Sequence, residues 1–296
     1  MAIKISFLNL KGGVGKTSMI VNVGACLAYM GKRVLIVDLD AQSNSSIWLM
    51  RLDRWNAQNR YPEKFALNLF KNPDAKITDC IHKSPVRDLE GEVALESLDL
   101  IPASFSLLDL EHDVENKTDV PFYIQFYEHM ADIEMLYDFI LFDCPPSFYY
   151  APQAAIFNSD WVIVPANADA LSIIGFHLLT EKLNKFKEKT EDHRNELHSP
   201  TPEIMGVSLN AIKPGVRIDV PVERFENQIE RFIEQRKVPT KTELFPTRIR
   251  HSITVGRAVM QGQPMVLMPK NEGSMSVAKD YIKTSQYILE RCGITL

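Results

Sequence analysis

The stretch that most constrains this chain lies at its start, where a mostly apolar run leads into a glycine-rich turn: IKISFLNLKGGVGKTSMI, residues 3–20. The run at 3–10 predicts a buried strand. After the turn, apolar residues recur at helical spacing, and Gly31 predicts where the helix ends. The periodic residues are Met19, Ile20, Val23, Leu27 and Met30. A strand, a glycine turn and a helix in this order predict a βα unit with an anion-binding turn.

The turn has the residue types that hold a phosphate group. Glycine backbone N–H groups can converge on one anion, and the helix N-terminus adds its positive end. Lys16 can reach the β- and γ-phosphates of a nucleotide, and the hydroxyl of Thr17 can bind Mg²⁺. The predicted nucleotide-binding residues of the turn are Gly12, Gly13, Val14, Gly15, Lys16, Thr17 and Ser18.

Further apolar runs alternate with helical patterns along the chain. They predict strands at 33–40, 98–103, 139–146, 160–166 and 205–212. Such runs, separated by helices, are typical of parallel strands covered on both faces. The expected fold is α/β, with one doubly wound, mostly parallel sheet in a single domain over 1–296. Two polar stretches, 51–76 and 189–202, are expected to be peripheral loops or short helices.

Composition argues against several kinds of site and location. The four cysteines, Cys26, Cys80, Cys144 and Cys292, form no C-x-x-C pair, so a thiolate metal site is not predicted. The N-terminus has no secretory leader pattern, and no apolar run is long enough to span a membrane. Scattered thiols fit a reducing compartment, so we expect a cytoplasmic protein.

The turn departs from the ordinary phosphate-loop pattern G-x-x-x-x-G-K-[ST]. That pattern requires glycine where this chain has Leu10, and the turn instead reads K-G-G-V-G-K-T with a second lysine, Lys11. This is the deviant Walker A motif, and nearly the whole chain resembles the ParA/MinD group of P-loop ATPases. The resemblance implies an ATP-dependent homodimer in which Lys11 reaches the phosphates bound by the other subunit. A cation supplied in trans stabilises the charge that develops during hydrolysis, and facing lysines repel each other when no phosphates separate them.

The segment VDLDAQSNSS, residues 37–46, resembles the family's switch I. The match implies that Asp40 positions the attacking water, which a carboxylate can do without a shifted pKa. Asp38 is a weaker candidate that supports the switch or the metal shell. Ala41 and Ser43 stand where the family often has proline and glycine, so hydrolysis is implied less firmly than binding. The catalytic residues implied are Lys11, Lys16 and Asp40.

Two later strand ends complete the implied nucleotide site. YDFILFDCPPS (137–147) resembles Walker B followed by switch II, which implies that Asp143 holds Mg²⁺ directly or through water. GVSLNAIKP (206–214) contains Asn210 at the place where the family recognises the adenine edge, and an amide can donate and accept at once. An asparagine that simply ends a strand is an equally good interpretation.

The C-terminal part of the chain carries a basic cluster. Residues 1–175 have a net charge of −9, and residues 176–296 have a net charge of +4. The segment 245–265, FPTRIRHSITVGRAVMQGQPM, resembles the family's closing signature, and in DNA-binding members this half contacts phosphates without sequence preference. The predicted DNA-binding residues are Arg248, Arg250, His251 and Arg257, with Lys213 and Arg217 as weaker candidates. The alternative is a solvated basic loop.

The resemblance favours a ParA/Soj-like function. It implies a nucleoid-associated dimer on non-specific DNA that partitions or positions a plasmid, chromosome or protein cargo. A ParB-like or cargo-adaptor partner would stimulate its weak hydrolysis. We expect no N-terminal helix-turn-helix domain, because the chain starts directly on the first strand.

Three other functions share the nucleotide motifs. A MinD-like membrane switch needs a basic amphipathic C-terminal helix. Residues 274–291 instead predict a helix with a core-packing face, so no membrane partner is expected. That face comprises Met275, Ala278, Ile282, Ser285 and Leu289. A redox relative such as the nitrogenase iron protein would need cluster-binding cysteines, and the motifs leave open a small-molecule ATPase or kinase.

Overall fold

The six predicted strands and a short further strand form one sheet in which all neighbours run parallel. The computed structural model describes residues 1–88, 90–110, 120–269 and 271–295. The strands are β1 (Ile3–Phe7), β2 (Val34–Asp38), β3 (Leu98–Ile101), β4 (Phe139–Asp143), β5 (Trp161–Ala166), β6 (Glu203–Leu209) and β7 (Glu243–Leu244). Within the described residues, the sheet order is β3-β2-β4-β1-β5-β6-β7. The doubly wound α/β prediction is confirmed.

Helices cover both faces of the sheet. They are α1 (Lys16–Tyr29), α2 (Asn44–Met50), α3 (Leu52–Gln58), α4 (Asn68–Lys71), α5 (Ile77–Cys80), α6 (Phe122–Ala131), α7 (Tyr150–Asn158), α8 (Ala170–Lys189), α9 (Glu191–Leu197), α10 (Asp219–Glu234), α11 (Ile253–Gln261) and α12 (Glu272–Arg291). One buried apolar group packs α1, α2 and α12 against the sheet. A second packs α6, α7, α8 and α10. Two cores of this kind bury both faces of the strands, which agrees with their nearly continuous apolar sequences.

Strand β1 lies where the order of the sheet changes direction. The chain passes from β1 to β2 and β3 on one side, whereas β5, β6 and β7 follow on the other. Both β4 and β5 pair with β1. A switch point of this kind opens a crevice at the carboxyl ends of the strands. The register of β2 and β4 also sets Asp38 directly beside Asp143 at that end.

Several strands are shorter at their carboxyl ends than predicted. β1 ends at Phe7 rather than at residue 10, and β4 ends at Asp143 rather than at residue 146. Pro145 and Pro146 have no N–H to donate to a ladder, so the apolar run could not continue as a strand. The chain beyond these points forms the loops around the crevice.

The prediction for the polar stretch 51–76 was half right. The stretch does form short helices, but it is not peripheral, because Trp55, Phe65 and Phe70 are buried. The indole Nε1 of Trp55 donates to the carbonyl oxygen of Ala103 at 2.9 Å. These few large aromatic side chains lack regular spacing, so neither a helical nor a strand period revealed their burial.

The stretch 189–202 also joins the folded body of the protein. It contains the short helix α9, whose Arg194 is buried. Nη1 of that arginine donates to the carbonyl oxygen of Phe157 at 3.0 Å. The guanidinium thereby ties α9 to the end of α7, which corrects the expectation of a peripheral element.

The C-terminal helix is present, but its core face differs in part from the prediction. Ser285 and Leu289 are buried as expected, whereas Met275 is 41% exposed. Val277 and Tyr281 turn into the core instead. The first turn of α12 borders an open groove, and Met275 lines that groove instead of reaching the core. No helix within the described ranges has the length and apolar character to cross a membrane.

The two edges of the sheet are short or covered. At one edge, the backbone of His82 forms an antiparallel bridge to Leu100 of β3, with N–H···O distances of 2.7 and 3.0 Å. At the other edge, β7 has only two residues, and the guanidinium of Arg291 donates to the Glu243 carboxylate at 2.6 Å. Short or covered edges limit pairing with other chains.

Candidate nucleotide-binding site

The glycine turn forms a loop between β1 and α1 whose backbone requires glycine at two positions. Gly13 and Gly15 have φ values of +73° and +79°, in the left-handed region. A Cβ added to Gly15 would lie 2.2 Å from Nδ2 of Asn210, whereas one added to Gly12 would meet open space. The tight approach of loop and strand end fixes the loop immediately before the N-terminus of α1, where an anion binds favourably.

Lys16 is buried in the first turn of α1. Its Nζ donates to the carbonyl oxygens of Asn9 at 3.2 Å and Lys11 at 3.4 Å. Burial lowers the pKa of Lys16, while the nearby carboxylates of Asp143 and Asp40 act in the opposite direction. The ammonium group is therefore held inside the loop, within electrostatic reach of both acids.

Asp38 is committed to the backbone of the segment that follows it. Its Oδ2 accepts from the backbone N–H of Ser46 at 2.9 Å and from the hydroxyl at 2.6 Å. Its Oδ1 accepts from the backbone N–H of Asp40 at 3.1 Å. Burial and the neighbouring Asp143 carboxylate raise the pKa of Asp38 well above its usual range. Of the two roles expected for Asp38, these contacts favour support of the switch over the metal shell.

Asp143 offers an oxygen that fits Mg²⁺. Its Oδ2 accepts from the hydroxyl of Ser45 at 2.5 Å, whereas Oδ1 is buried and accepts no hydrogen bond from the described residues. Burial, with a smaller contribution from the Asp40 carboxylate, raises the pKa of Asp143 to about 6, although the hydroxyls of Ser45 and Thr17 oppose the shift. One carboxylate oxygen beside a threonine hydroxyl is a donor set that Mg²⁺ uses together with phosphates. Over the described ranges, no group of three or more His, Cys, Asp or Glu side chains could hold a metal ion.

Asp40 lies in the same buried corner, on the loop that leads to α2. Its Oδ1 accepts from the backbone N–H of Gln42 at 2.9 Å. Ser43, which replaces the family's frequent glycine, has φ +55° and so adopts a left-handed conformation that glycine adopts readily. The serine at this position therefore does not prevent the turn that leads into α2.

Asn210 connects the end of β6 to the phosphate loop. Its Nδ2 donates to the carbonyl oxygens of Val14 and Gly15 at 3.2 and 3.1 Å. Its Oδ1 accepts from the backbone N–H of Ala211 at 2.8 Å. Both ends of the amide are thus engaged by backbone groups, and the side chain braces the loop.

A cavity of about 380 Å³ opens beside Asn210 and Gly13. Ile212, Val216 and Ile218 form an apolar wall that sequence reasoning missed. The only sequence signal was their position directly after a strand end, where crevices of such sheets lie. An apolar wall next to a phosphate loop suits a flat aromatic base.

The six predicted DNA-binding residues fall into different environments. Lys213 and His251 are exposed at the mouth of the cavity beside Asn210, and Arg217 and Arg257 are exposed. Arg250 makes a two-bond ion pair with Asp280, Nε to Oδ2 at 2.6 Å and Nη2 to Oδ1 at 2.9 Å.

Arg248 turns inward instead of toward solvent. It is partly buried, and its Nη1 donates to the carbonyl oxygen of Phe245. Burial lowers the pKa of Arg248. Arg248 and Arg250 are therefore held by partners within the chain, which the residue types alone did not indicate.

Lys11 is also paired within the chain. Its Nζ lies 2.6 Å from Oδ2 of Asp169 and 3.4 Å from the hydroxyl of Ser172. Asn9 orients the same loop, accepting from the backbone N–H of Lys11 at 2.9 Å and donating to the carbonyl oxygen of Pro165 at 2.7 Å. Sequence reasoning missed Asp169, although an aspartate immediately before the first helical residue is a capping signal.

Comparison with known proteins places this site in a family. A family model described as an AAA domain matches residues 2–197. The chain is 28% identical over 271 residues to the sporulation initiation inhibitor protein Soj of Bacillus subtilis, covering 91% of this chain and 93% of Soj. It is 28% identical over 284 residues to a virulence plasmid ParA family protein of Chlamydia trachomatis, covering 95% of this chain and 92% of that protein.

Solved structures agree on the fold. An ATP complex of McdA from Cyanothece superposes with a TM-score of 0.71 at 19% identity, covering 100% of this chain and 98% of McdA. The resemblance read from K-G-G-V-G-K-T is thus confirmed by sequence relatives and by fold. The chain belongs to the AAA domain family and is a ParA/Soj-like P-loop ATPase.

Proposed function

We propose that this protein is an ATP-dependent dimerising ATPase that binds DNA without sequence preference and positions a plasmid, chromosome or protein cargo. The observation that carries the proposal is the pair of lysines around one phosphate loop. Lys16 lies buried within the loop, while Lys11 reaches outward from its rim to a partly exposed aspartate. A loop that needed only to hold phosphate would require Lys16 alone.

An exposed apolar stripe supports dimerisation on the face that carries Lys11. Leu171, Ile174 and Leu178 lie on the solvent side of α8, spaced so that they share one face. They begin two residues after Asp169, the partner of Lys11. Exposed apolar residues grouped on one face are typical of interaction surfaces. We place the ATP-dependent interface here.

The chemistry proposed for the site assigns one task to each side chain. Lys16 binds the β- and γ-phosphates, and the backbone N–H groups of the loop orient them. Asp40 orients the attacking water, and Lys11 of the facing subunit stabilises the charge that develops. Mg²⁺ held by Thr17 and Asp143 would neutralise phosphate charge when bound.

Exposed basic residues near the cavity support the DNA proposal. The backbone of Ile212 pairs with Arg250, which brings the loop of Lys213 and Arg217 next to the segment that enters α11 and carries Arg257. Spaced positive charge is sufficient for non-specific binding.

A ParB-like or cargo-adaptor partner would stimulate hydrolysis, and we expect its contact near the switch residues that include Asp40.

Retention of sequence-unrelated duplex DNA on a gel tests the proposal. The protein is mixed with ATP, ADP or no nucleotide over a salt series, with Asp40→Ala and Lys11→Ala alongside. We expect retention only with ATP, kept by Asp40→Ala because ATP is trapped, and lost by Lys11→Ala because the dimer fails. Retention should fall steeply as salt rises. Absence of retention in every condition, with ATP binding intact, would contradict the DNA part of the proposal.

A further inference from the structure

The ion pair between Lys11 and Asp169 joins the rim of the phosphate loop to the start of α8. The distance from Nζ to Oδ2 is 2.6 Å, and the side chains of the two residues are 26% and 42% exposed. The pair is therefore formed within one chain, at the rim of the site rather than inside it. Without a bound nucleotide, Lys11 therefore pairs with the Asp169 carboxylate of its own subunit.

Asp169 is held in position to receive this lysine. It is the N-cap of α8, and its Oδ1 accepts from the backbone N–H of Ser172 at 2.8 Å. The buried hydroxyl of Ser172 accepts from the backbone N–H of Asn167 at 3.2 Å. With one oxygen fixed by the helix cap, the other is directed at Nζ of Lys11. Partial burial alone would raise the pKa of Asp169, but hydrogen bonds from Lys11 and Ser172 outweigh it, so the pKa is lowered and the carboxylate stays charged.

The lysine end of the pair is equally constrained. The backbone N–H of Lys11 donates to Oδ1 of Asn9, whose Nδ2 is anchored on Pro165 at the end of β5. Two adjacent strand ends, β1 and β5, therefore hold the donor and the acceptor at a fixed separation. Because the backbone of Lys11 is fixed, its ammonium group can move only by rotation about the side-chain torsions, which favour a few staggered rotamers.

We propose that Asp169 is a positioning residue that holds Lys11 in cis and thereby raises the ATP concentration at which two subunits join. The inference rests on the proposed ATP-dependent dimer. In that dimer the γ-phosphate bound by the other subunit competes with Asp169 for the same ammonium group. A phosphate carries more negative charge than one carboxylate, so ATP prevails, but only after the cis pair has opened.

The chain offers a matched set of variants for the test. Asp169→Asn removes the charge but keeps an oxygen for the helix cap, since asparagine is among the preferred N-cap residues. Asp169→Glu restores the charge on a longer side chain. Thermal melts of both variants establish that α8 and the fold are intact before any binding is measured.

Two measurements are made on each variant. The first is the rate at which an amine-reactive ester labels Lys11 in nucleotide-free protein, measured by peptide mass spectrometry against the exposed Lys185. The second is the AMP-PNP concentration that gives half-maximal dimer, measured by analytical ultracentrifugation. Partly exposed ion pairs have modest strength, so the expected effects of Asp169→Asn are modest too. We expect the labelling rate of Lys11 to rise about two- to fivefold, and the AMP-PNP concentration for half-maximal dimer to fall by a similar factor. Asp169→Glu should return both values toward wild type.

The outcomes separate this inference from the proposed function. Unchanged labelling of Lys11 in Asp169→Asn would show that no cis pair restrains the lysine. Faster labelling with an unchanged or higher midpoint would show that the pair forms without controlling assembly, and it would also overturn the inference. Wild-type protein that binds AMP-PNP but stays monomeric at saturation would overturn the proposed function itself, whatever the labelling rates are.

Discussion

At the scale of single residues, Asn210 has the most informative geometry. Family resemblance suggested an adenine contact, whereas the structure has its amide bonded to Val14, Gly15 and Ala211. Because both amide hydrogens are donated to loop carbonyls, this geometry favours a role in shaping the phosphate loop over recognition of the base. A residue that recognises adenine affects the binding of ATP but not of GTP, whereas a residue that braces the phosphate loop affects both nucleotides equally.

Asn210→Ala should weaken the binding of ATP and GTP by the same factor. The change leaves the Val14 carbonyl without its donor, whereas the Gly15 carbonyl keeps those of Ser18 and Met19. An unpaired buried polar group costs about 1–3 kcal/mol, or roughly five- to hundredfold in affinity. Isothermal titration of both nucleotides against wild type measures the effect. A loss confined to ATP would instead establish that Asn210 recognises adenine.

The loop itself illustrates what a single-residue pattern can and cannot predict. The glycines, Lys16 and Thr17 were predicted from their spacing, because a phosphate loop needs a glycine-rich turn followed directly by a lysine and a hydroxyl residue. The partner of Lys11 was not found, because Asp169 lies 158 positions away along the chain. Only the pairing of β1 with β5 brings the two residues together.

At the scale of elements, an ion pair ties the starts of two neighbouring strands. Asp138, just before β4, accepts from the backbone N–H of Arg33 at 2.7 Å and from its Nη2 at 2.8 Å. The backbone N–H of Asp138 donates in turn to the carbonyl oxygen of Arg33 at 2.8 Å. The contact fixes where β2 and β4 begin, and therefore the register that brings Asp38 beside Asp143.

Asp138→Asn should lower the free energy of unfolding at pH 7 by a small amount, because both partners are partly exposed. Hydrogen bonds from Arg33 lower the pKa of Asp138 in the folded protein. A lowered folded pKa gives stability that is present above the unfolded pKa of about 3.9 and is lost as pH falls through the folded pKa.

Urea unfolding of wild type and Asp138→Asn between pH 7 and pH 3 checks this prediction. The difference in free energy between the two proteins should be constant above pH 5 and should shrink toward pH 3. A difference that does not change with pH would assign the effect to the backbone contacts of residue 138 and not to its charge.

Element prediction succeeded where apolar runs were long and failed where burial depended on few residues. The strands and α1 were found because both faces of the sheet are covered, so their runs are almost continuously apolar. The core role of 51–76 was missed because Trp55, Phe65 and Phe70 follow no period. The face of α12 was misjudged at Met275, because periodicity does not reveal where a helix extends past its support.

At the scale of the whole molecule, the distribution of charge matters more than any one basic residue. The C-terminal half is net positive, yet Arg248 and Arg250 are bound within the chain. Composition could indicate a basic half, but only the packed structure separates charges directed at solvent from those neutralised by acids such as Asp280.

Arg257→Ala should weaken ATP-dependent retention of duplex DNA, whereas Arg250→Ala should change it less. Each phosphate contact removed lowers the slope of log affinity against log salt by about 0.9, and the proposed dimer loses this arginine in both subunits. Fluorescence anisotropy of labelled duplex at several salt concentrations gives the slope for each variant. Equal slopes in wild type and Arg257→Ala would show that this arginine makes no phosphate contact.

The covered edges of the sheet restrict how copies of this protein can associate. His82 occupies one edge, and the two-residue β7 offers almost nothing at the other. Within the described chain, copies therefore lack the long open strand from which a fibre grows by backbone pairing. Under the proposed function, assembly then relies on side-chain surfaces that a bound nucleotide can create and remove. If copies gather along DNA as proposed, we expect their association to remain reversible, so that the protein disperses again without passing into an aggregate.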